Sequence, residues 1–223
     1  MVFDFHTHTY WSDGVLSPVE QARRALMNGY RAIGLTDHVG IGNVEHLITQ
    51  FKREREIVER YWDITVVVGV ELTHVPAAGI AEAAKSARDA GAEIVVLHGE
   101  TPVEPVEPGS DAAAIDSGYV DVIGHPGHIT EDEVRRAIQN DVFLEVSARG
   151  GHCLTNGHVA ALGQRLGAKL IVNSDAHSPS DLLKPDFQRS VALGAGIEHG
   201  LLTSVLEDWP QELLQRCLAR REG

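Results

Sequence analysis

Short runs of apolar and β-branched residues recur along the chain, and longer stretches with a helical spacing of apolar positions separate them. Runs of this length and composition predict β-strands at residues 2–5, 31–35, 64–70, 93–97, 120–124, 142–146 and 169–173. The stretches between them predict α-helices at residues 18–29, 44–62, 79–91, 129–140, 155–167 and 209–222. Ser17 before the first of these helices and Gly29 at its end are typical of helix termini.

The alternation of strand and helix favours a parallel sheet covered by helices, because parallel strands need a long crossover between them. Seven such units predict an α/β barrel, closed or nearly closed, and an open doubly wound sheet is the competing topology. No linker or change of composition divides the chain, so we expect one domain over residues 1–223. The Pro-rich segment 99–110, GETPVEPVEPGS, is predicted to be a rim loop or a lid.

The composition is that of an acidic globular protein. Hydrophobic residues make up 43% of the 223 positions, and 19 Lys and Arg stand against 32 Asp and Glu, which gives a net charge of −13. This charge disfavours a long nucleic acid as a partner, because neutralisation of phosphates dominates such binding. No apolar run approaches the ~20 residues that span a membrane. The first residues, MVFDFHTH, lack the pattern of a signal peptide, so we expect a cytoplasmic protein.

Histidine and acidic residues follow the predicted strands, where each strand leaves the core. The chain has 12 histidines, a high number for its length. In an α/β barrel the carboxyl ends of the strands share one rim, and active sites lie there. We therefore expect the following residues to converge: His6, His8, Asp37, His38, Glu71, His98, His125, Arg149, His152, Asp175 and His177.

This combination of side chains predicts a metal centre. Imidazole and carboxylate together suit zinc, manganese or iron, and the two cysteines provide no thiolate site. Residues i and i+2 of a strand point to the same face, so His6 and His8 can share an ion, as can Asp175 and His177. Six histidines with Glu71 and Asp175 exceed the needs of one tetrahedral site, so we expect two or three divalent ions.

The motifs resemble those of the PHP (polymerase and histidinol phosphatase) superfamily. The matching stretches are FHTHTYWSDG at 5–14, GLTDH at 34–38, GVEL at 69–72, VLHGE at 96–100, IGHPG at 123–127 and NSDAH at 173–177. They follow the order of the family and cover most of the chain. The resemblance implies a distorted TIM-like barrel of seven βα units, a trinuclear metal site and phosphoesterase activity.

The resemblance also implies a set of ligands for each ion. One ion would be held by His6, His8, Glu71 and Asp175. A second would share Glu71 and take His98 and His125. A third would be held by His38 and His177 and completed by Asp13.

The implied reaction is hydrolysis of a small phosphate monoester, with histidinol phosphate as one candidate. A hydroxide bridging two ions would attack phosphorus in line. His177 or Asp13 would protonate the leaving oxygen. We predict that Arg149 and His152 contact the substrate phosphate, since Arg binds phosphate bidentately. Pairing of Arg149 with Glu145 is the alternative for that residue.

Two other functions fit the same residues. One is a nuclease or nucleotide phosphodiesterase acting on short oligonucleotides, and the other is a binding protein that kept the fold without catalysis. Apart from a small phosphorylated substrate, we expect neither a membrane nor a long nucleic acid as a partner, and the oligomeric state stays open. We further expect Asp37 to orient a ligand histidine, and His74 and His128 to be surface residues.

Overall fold

The computed structural model describes residues 1–222 and contains eight strands, all paired in parallel. They are β1 (Val2–Asp4), β2 (Tyr30–Leu35), β3 (His38–Val39), β4 (Thr65–Leu72), β5 (Ile94–His98), β6 (Val122–Gly124), β7 (Phe143–Ser147) and β8 (Leu170–Asn173). Seven lie side by side in the order β1-β2-β4-β5-β6-β7-β8, and β3 pairs with β4 alone. The seven predicted strands are confirmed. The two-residue β3 was not predicted, because it is too short to show an alternating pattern.

The barrel closes between its first and last strands through a narrow seam. Thr7 and Ala176 form a parallel bridge just beyond the ends of β1 and β8. The buried side-chain amide of Gln188 donates hydrogen bonds to the carbonyls of Phe3 at 2.9 Å and Val172 at 3.1 Å, one on each side of the seam. The predicted, nearly closed barrel is therefore confirmed, and the open sheet is excluded.

The helices surround the barrel and close one of its ends. They are α1 (Pro18–Met27), α2 (Val44–Tyr61), α3 (Ile80–Asp89), α4 (Ser110–Asp116), α5 (Glu131–Gln139), α6 (Asn156–Leu166), α7 (Pro185–Gly194) and α8 (Trp209–Glu222). The sequence did not predict α4, which is short, or α7, whose fully buried residues are Gln188 and Ala192 rather than large apolar side chains. Across residues 1–222, no helix is long and apolar enough to cross a membrane.

Local sequence explains where two of the helices begin. The Ser17 side chain accepts a hydrogen bond from the Glu20 N–H at 3.2 Å, at the start of α1. At α5, Thr130 and Glu133 form a reciprocal capping box. Caps of this kind satisfy amides that have no partner within the helix and contribute about 1 kcal/mol each.

The inside of the barrel is apolar, and α8 closes its amino-terminal end. The interior cluster consists of Phe3, Phe5, Ala32, Val67, Ile94, Val96, Val122, Phe143, Ile171, Leu213, Leu214 and Cys217, of which the last three belong to α8. Arg221 of the same helix donates to the Val66 carbonyl at 2.7 Å and lies 2.9 Å from Glu93, next to the first residues of two strands. The opposite, carboxyl-terminal rim is thereby left free for a functional site.

Truncation of one of these α8 side chains tests the role of the helix. We expect Leu214→Ala to lower the free energy of unfolding by about 2–4 kcal/mol, because it leaves a cavity in a closed interior. Leu214 is 1% exposed, whereas Leu154 is 71% exposed and provides the matched control. Urea denaturation measures both variants, and Leu154→Ala should change stability by less than about 0.5 kcal/mol. Equal losses in the two variants would contradict this packing.

Candidate metal centre

The carboxyl-terminal rim gathers the predicted site residues in one place. They are His6 and His8 after β1, Asp13 in the loop before α1, His38 in β3, Glu71 in β4, His98 in β5, His125 after β6, and Asp175 and His177 after β8. Most are buried, while the side chain of Asp13 is about half exposed. The cluster therefore opens to solvent on the side of that residue.

Four residues, the central group, face one another in the middle of the rim: His6, His8, Glu71 and Asp175. Nε2 of His6 lies 3.1 Å from Oε1 of Glu71, and Nε2 of His8 lies 3.2 Å from Oδ1 of Asp175. The other two separations between a histidine and a carboxylate are 3.7 Å from Nε2 of His8 to Oε2 of Glu71 and 3.9 Å from Nε2 of His6 to Oδ1 of Asp175. The structure thus brings together the four residues that were assigned to the first ion.

An outer group, Asp13, His38 and His177, lies nearer to solvent. Oδ1 of Asp13 is 3.5 Å from Nε2 of His38, and Oδ2 is 3.0 Å from Nε2 of His177. His8 reaches this group as well, since its Nδ1 lies 3.9 Å from Oδ1 of Asp13. The residues assigned to the third ion are therefore adjacent, and the imidazole of His8 connects them to the central group.

A histidine group, His98, His125 and His152, differs from the set assigned to the second ion. Ring nitrogens of the three residues lie within 4.8 Å of one another. Glu71 approaches His125 at 3.5 Å and clusters with His6 and His125 rather than with His98. His152, which we predicted as a phosphate contact, stacks on His125 with ring centroids 4.1 Å apart. Sequence reasoning placed His152 on the same rim as the other histidines but did not group it with the ligands of a cation.

Several buried atoms of the rim have no hydrogen-bond partner among the described residues. They are Nε2 of His6, both ring nitrogens of His8, Oδ2 of Asp37, Oε1 of Glu71, and Nδ1 of His98 and of His125. Burying a polar group without a hydrogen-bond partner costs about 1–3 kcal/mol. The number of such atoms at this rim therefore indicates that they bind a ligand. Donors about 2.0–2.2 Å from a shared cation lie about 3.0–3.5 Å apart. Most separations in the central and outer groups are close to this range, so the donor set fits divalent cations.

Partners outside the cluster turn the imidazoles toward its centre. Glu145 of β7 is fully buried, and its carboxylate accepts hydrogen bonds from Nδ1 of His6 at 2.8 Å and from the backbone N–H of His125 at 3.2 Å. Thr101 Oγ1 lies 2.8 Å from Nδ1 of His152. With Nδ1 engaged in this way, Nε2 of His6 and of His152 is left to face the rim.

The structure gives Asp37 a different role from the one predicted. Its Oδ1 accepts hydrogen bonds from the N–H groups of Thr9 at 3.0 Å and Ser12 at 2.9 Å. These contacts fix the turn that precedes Asp13 and leave no bond from Asp37 to a histidine among the described residues. The prediction that Asp37 orients a ligand histidine was therefore wrong.

Arg149 lies at the mouth of the cluster. Its guanidinium donates to the Asp175 carbonyl at 3.2 Å and lies 2.6 Å from Nδ1 of His177. Glu145 is engaged inside the barrel instead, so the alternative pairing of Arg149 with Glu145 does not occur. The Arg149 side chain is 33% exposed, and part of it faces solvent.

Three rim residues have backbone angles that are unusual for residues other than glycine. φ is 29° at His125, 53° at Asp175 and 51° at His74. Such conformations cost of order 1–3 kcal/mol each and cluster at functional sites. The ring of His74 lies 5.0 Å from that of His98. His74, which we expected to be a plain surface residue, therefore borders the cluster.

Burial and neighbouring charges set the protonation states in the cluster. Burial opposes ionisation of Asp175 and Glu71, but the nearby histidines, His6 foremost, outweigh it and hold the pKa of both carboxyls below the usual range. Burial lowers the pKa of His8 and of His152 to about 4. At neutral pH these carboxylates are anionic and these two imidazoles neutral, which are the states that bind cations. At His6, His38 and His125 the neighbouring carboxylates outweigh burial and raise the pKa, so these three histidines would release a proton when a cation binds.

Sequence reasoning missed Glu104 and gave Glu145 the wrong partner. Oε2 of Glu104, in the Pro-rich loop, lies 3.1 Å from Nε2 of His98. No pattern in the sequence points to that contact. Glu145 carried a usable signal, because a lone carboxylate within the apolar strand FLEVS has to be buried with a partner.

The chain is similar to known proteins over most of its length. The family model described as PHP domain matches residues 4–103. An uncharacterised protein of Methanocaldococcus jannaschii is 46% identical over 217 residues, which cover 97% of this chain and 100% of the relative. A probable phosphatase of Caldanaerobacter subterraneus is 30% identical over 194 residues, which cover 79% of this chain and 76% of the relative.

A solved structure shares the fold. It is a Listeria monocytogenes protein assigned as a histidinol phosphatase, with a TM-score of 0.59, 11% sequence identity, and coverage of 82% of this chain and 97% of that chain. At this identity the likeness shows the barrel and no more. Together with the motifs on the strand ends and the sequence relatives, it leads to one conclusion: the chain belongs to the PHP domain family.

Proposed function

We propose that this chain is a phosphoesterase that depends on divalent metal ions and hydrolyses a small phosphate monoester. One observation carries the proposal, namely that the rim joins histidines and carboxylates several of whose buried donor atoms have no hydrogen-bond partner within residues 1–222. The relative named as a probable phosphatase supports the reaction class.

The rim residues would hold two or three cations, and zinc, manganese and iron suit their donor atoms. The central group would hold one cation and the outer group another. When bound, such cations lower the pKa of water and neutralise charge on phosphoryl oxygens. The chain contributes by fixing the donors in place, as Glu145 does for His6 at 2.8 Å.

Arg149 would bind the substrate phosphate. It lies beside Asp175 and His177 at the mouth of the cluster, and part of its guanidinium is exposed. A guanidinium offers two parallel N–H groups to a phosphate, which orients the ester as well as attracting it. Arg149 also lines the cavity next to the cluster, so it connects the cation site to the space available for a substrate.

The adjoining space suits a small substrate. A cavity of about 330 Å³ is lined in part by Arg149, Ser180, Asp181 and Phe187. Ala148 and Phe187 also line a second cavity, of about 490 Å³. Volumes of this order accept small organic molecules. The net charge of −13 opposes binding of a long polynucleotide.

His177 is the better of the two predicted proton donors. Its Nε2 lies 3.0 Å from Oδ2 of Asp13. Burial raises the pKa of Asp13, but hydrogen bonds from His177 and His38 outweigh it and hold that pKa below its usual range. Asp13 therefore stays anionic. If the central group and the histidine group hold two cations and the outer group holds none, His177 would carry the proton to the leaving oxygen while Asp13 orients its ring.

Hydrolysis of phosphate esters by the purified chain, loaded with Mn²⁺, tests the proposal. We expect phosphate release from at least one member of a panel containing p-nitrophenyl phosphate, histidinol phosphate and nucleoside monophosphates, and loss of activity after chelation. Inactivity on the whole panel with bound metal confirmed would refute it. Faster cleavage of a short oligonucleotide would favour the nuclease alternative, and a chain without metal or activity would favour the binding protein.

A further inference from the structure

The Pro-rich rim loop, residues 99–110, brings one carboxylate to the histidine group. Oε2 of Glu104 lies 3.1 Å from Nε2 of His98, and Oε1 lies 3.5 Å from Nε2 of His152. Both histidines are buried, whereas the Glu104 side chain is 39% exposed. Glu104 therefore covers the histidine group from the solvent side.

Hydrogen bonds within the rim loop fix the position of Glu104. The Glu100 carboxylate accepts from the N–H of Gly109 at 2.8 Å and so closes the base of the loop. The Glu107 carboxylate accepts from the N–H of Ala77 at 3.1 Å and ties the loop to the segment before α3. These two hydrogen bonds restrict the loop. The contacts of Glu104 with the histidines are therefore more constrained than those of an ion pair between freely moving surface side chains.

The rim loop also packs directly on the elements that carry the histidines. Thr101 Oγ1 lies 2.8 Å from Nδ1 of His152. At Gly127, where φ is 60°, a Cβ would lie only 1.9 Å from the carbonyl oxygen of Glu100. Glycine is therefore required in the turn that follows His125, and its absence of a side chain lets the loop approach this turn.

The distances around Glu104 match those between donors that share a cation. Donors about 2.0–2.2 Å from one ion lie about 3.0–3.5 Å apart. The separations of 3.1 Å to His98 and 3.5 Å to His152 fall in this range. Three imidazoles and one carboxylate make four donors, the number that tetrahedral zinc uses. Glu104 itself clusters within 4.8 Å with His74 and His98, so a shared cation would draw its carboxylate toward His125. His74, whose backbone is strained, lies 3.5 Å from Glu104 on the outer side.

We propose that the carboxylate of Glu104 is a ligand of a cation bound by His98, His125 and His152. The inference rests on the proposed metal centre and deepens it. It gives His152 the role of cation ligand in place of the phosphate contact predicted from the sequence. It also makes the rim loop part of the metal site, so that binding of this cation and the position of the loop are coupled.

Metal titration of Glu104→Gln tests the assignment. We expect the variant to bind one Co²⁺ fewer per chain than the unmodified chain, or to bind that ion at least about 10-fold more weakly. The visible absorption of the Co²⁺-loaded chain should change as well, because a carboxylate is lost from the ion. Elemental analysis counts the ions, and competition with a chelating dye gives dissociation constants.

Glu107→Gln is the matched control, because it neutralises a carboxylate of the same loop while its amide oxygen can still accept the hydrogen bond from the Ala77 N–H that holds the loop. It should keep the full cation number. If Glu104→Gln also keeps the number, affinity and spectrum of the unmodified chain, Glu104 is only a surface partner and the proposal is overturned.

A second variant, His152→Ala, should lose the same cation. The double variant, with Glu104→Gln and His152→Ala together, should then lose no more cations than either single variant. Loss of two cations would show that Glu104 and His152 do not share an ion. These counts do not depend on activity. If the chain binds cations but hydrolyses no ester, the proposed function is refuted. The cation counts of the variants still decide the role of Glu104 in that case.

Discussion

Replacement of Asp175 by Asn is expected to lower kcat for ester hydrolysis by about 10³-fold. The Asp175 carboxylate lies 3.2 Å from His8 and 3.7 Å from His125 and supplies negative charge to the central group. A neutral amide is a weak ligand for a divalent cation. Loss of about 4 kcal/mol of transition-state stabilisation corresponds to this factor. Steady-state rates at saturating Mn²⁺, together with elemental analysis, measure the effect.

The fold should survive this substitution. φ at Asp175 is 53°, a conformation that Asn adopts more readily than most residues, and its backbone N–H bonds to the His6 carbonyl without the side chain. Asp141→Asn is the matched control, since Asp141 has φ 56° and pairs with Arg216 of α8 at the other end of the barrel. If Asp175→Asn kept more than a tenth of the original kcat, the central group would not be the catalytic site.

The site could largely be predicted because it follows from strand direction. Each apolar run stops at a polar residue, as in VLH at residues 96–98, and parallel strands place all such ends on one rim. His98 and Asp175, which are far apart in the chain, therefore converge whatever the loops between them do. The same argument predicted the barrel, since a repeated strand and helix unit leaves few other arrangements.

Contacts that depend on tertiary packing could not be predicted from the sequence. The helical pattern of α8 was recognised, but its pattern does not show that Leu213 and Leu214 fill the end of the barrel. Glu104 reaches the histidine group from the rim loop, which Glu100 and Glu107 tie to Gly109 and Ala77. Spacing along the chain carries no information about such bonds, since loop geometry is set by the whole fold.

The orientation of each imidazole is a further property that spacing does not give. A histidine binds a cation only when its free nitrogen faces the ion and its other nitrogen has a partner. In this barrel the partner of His6 is Glu145, which accepts hydrogen bonds from His6 at 2.8 Å, Asn173 at 2.9 Å and the His125 N–H at 3.2 Å. Glutamine has one oxygen in place of two, so at least one of these donors would face an NH₂ group.

Exchange of Glu145 for Gln should therefore weaken cation binding about 10–100-fold. Because Glu145 acts through His6, excess metal should restore kcat toward that of the unmodified chain, which it should not do for Asp175→Asn. Titration of activity against free Mn²⁺ separates the two variants. Glu93→Gln, which neutralises a buried carboxylate beside Arg221 at the other end of the barrel, controls for loss of a buried charge. Failure of excess metal to restore Glu145→Gln would show that Glu145 acts directly on the cations or the substrate rather than by holding His6.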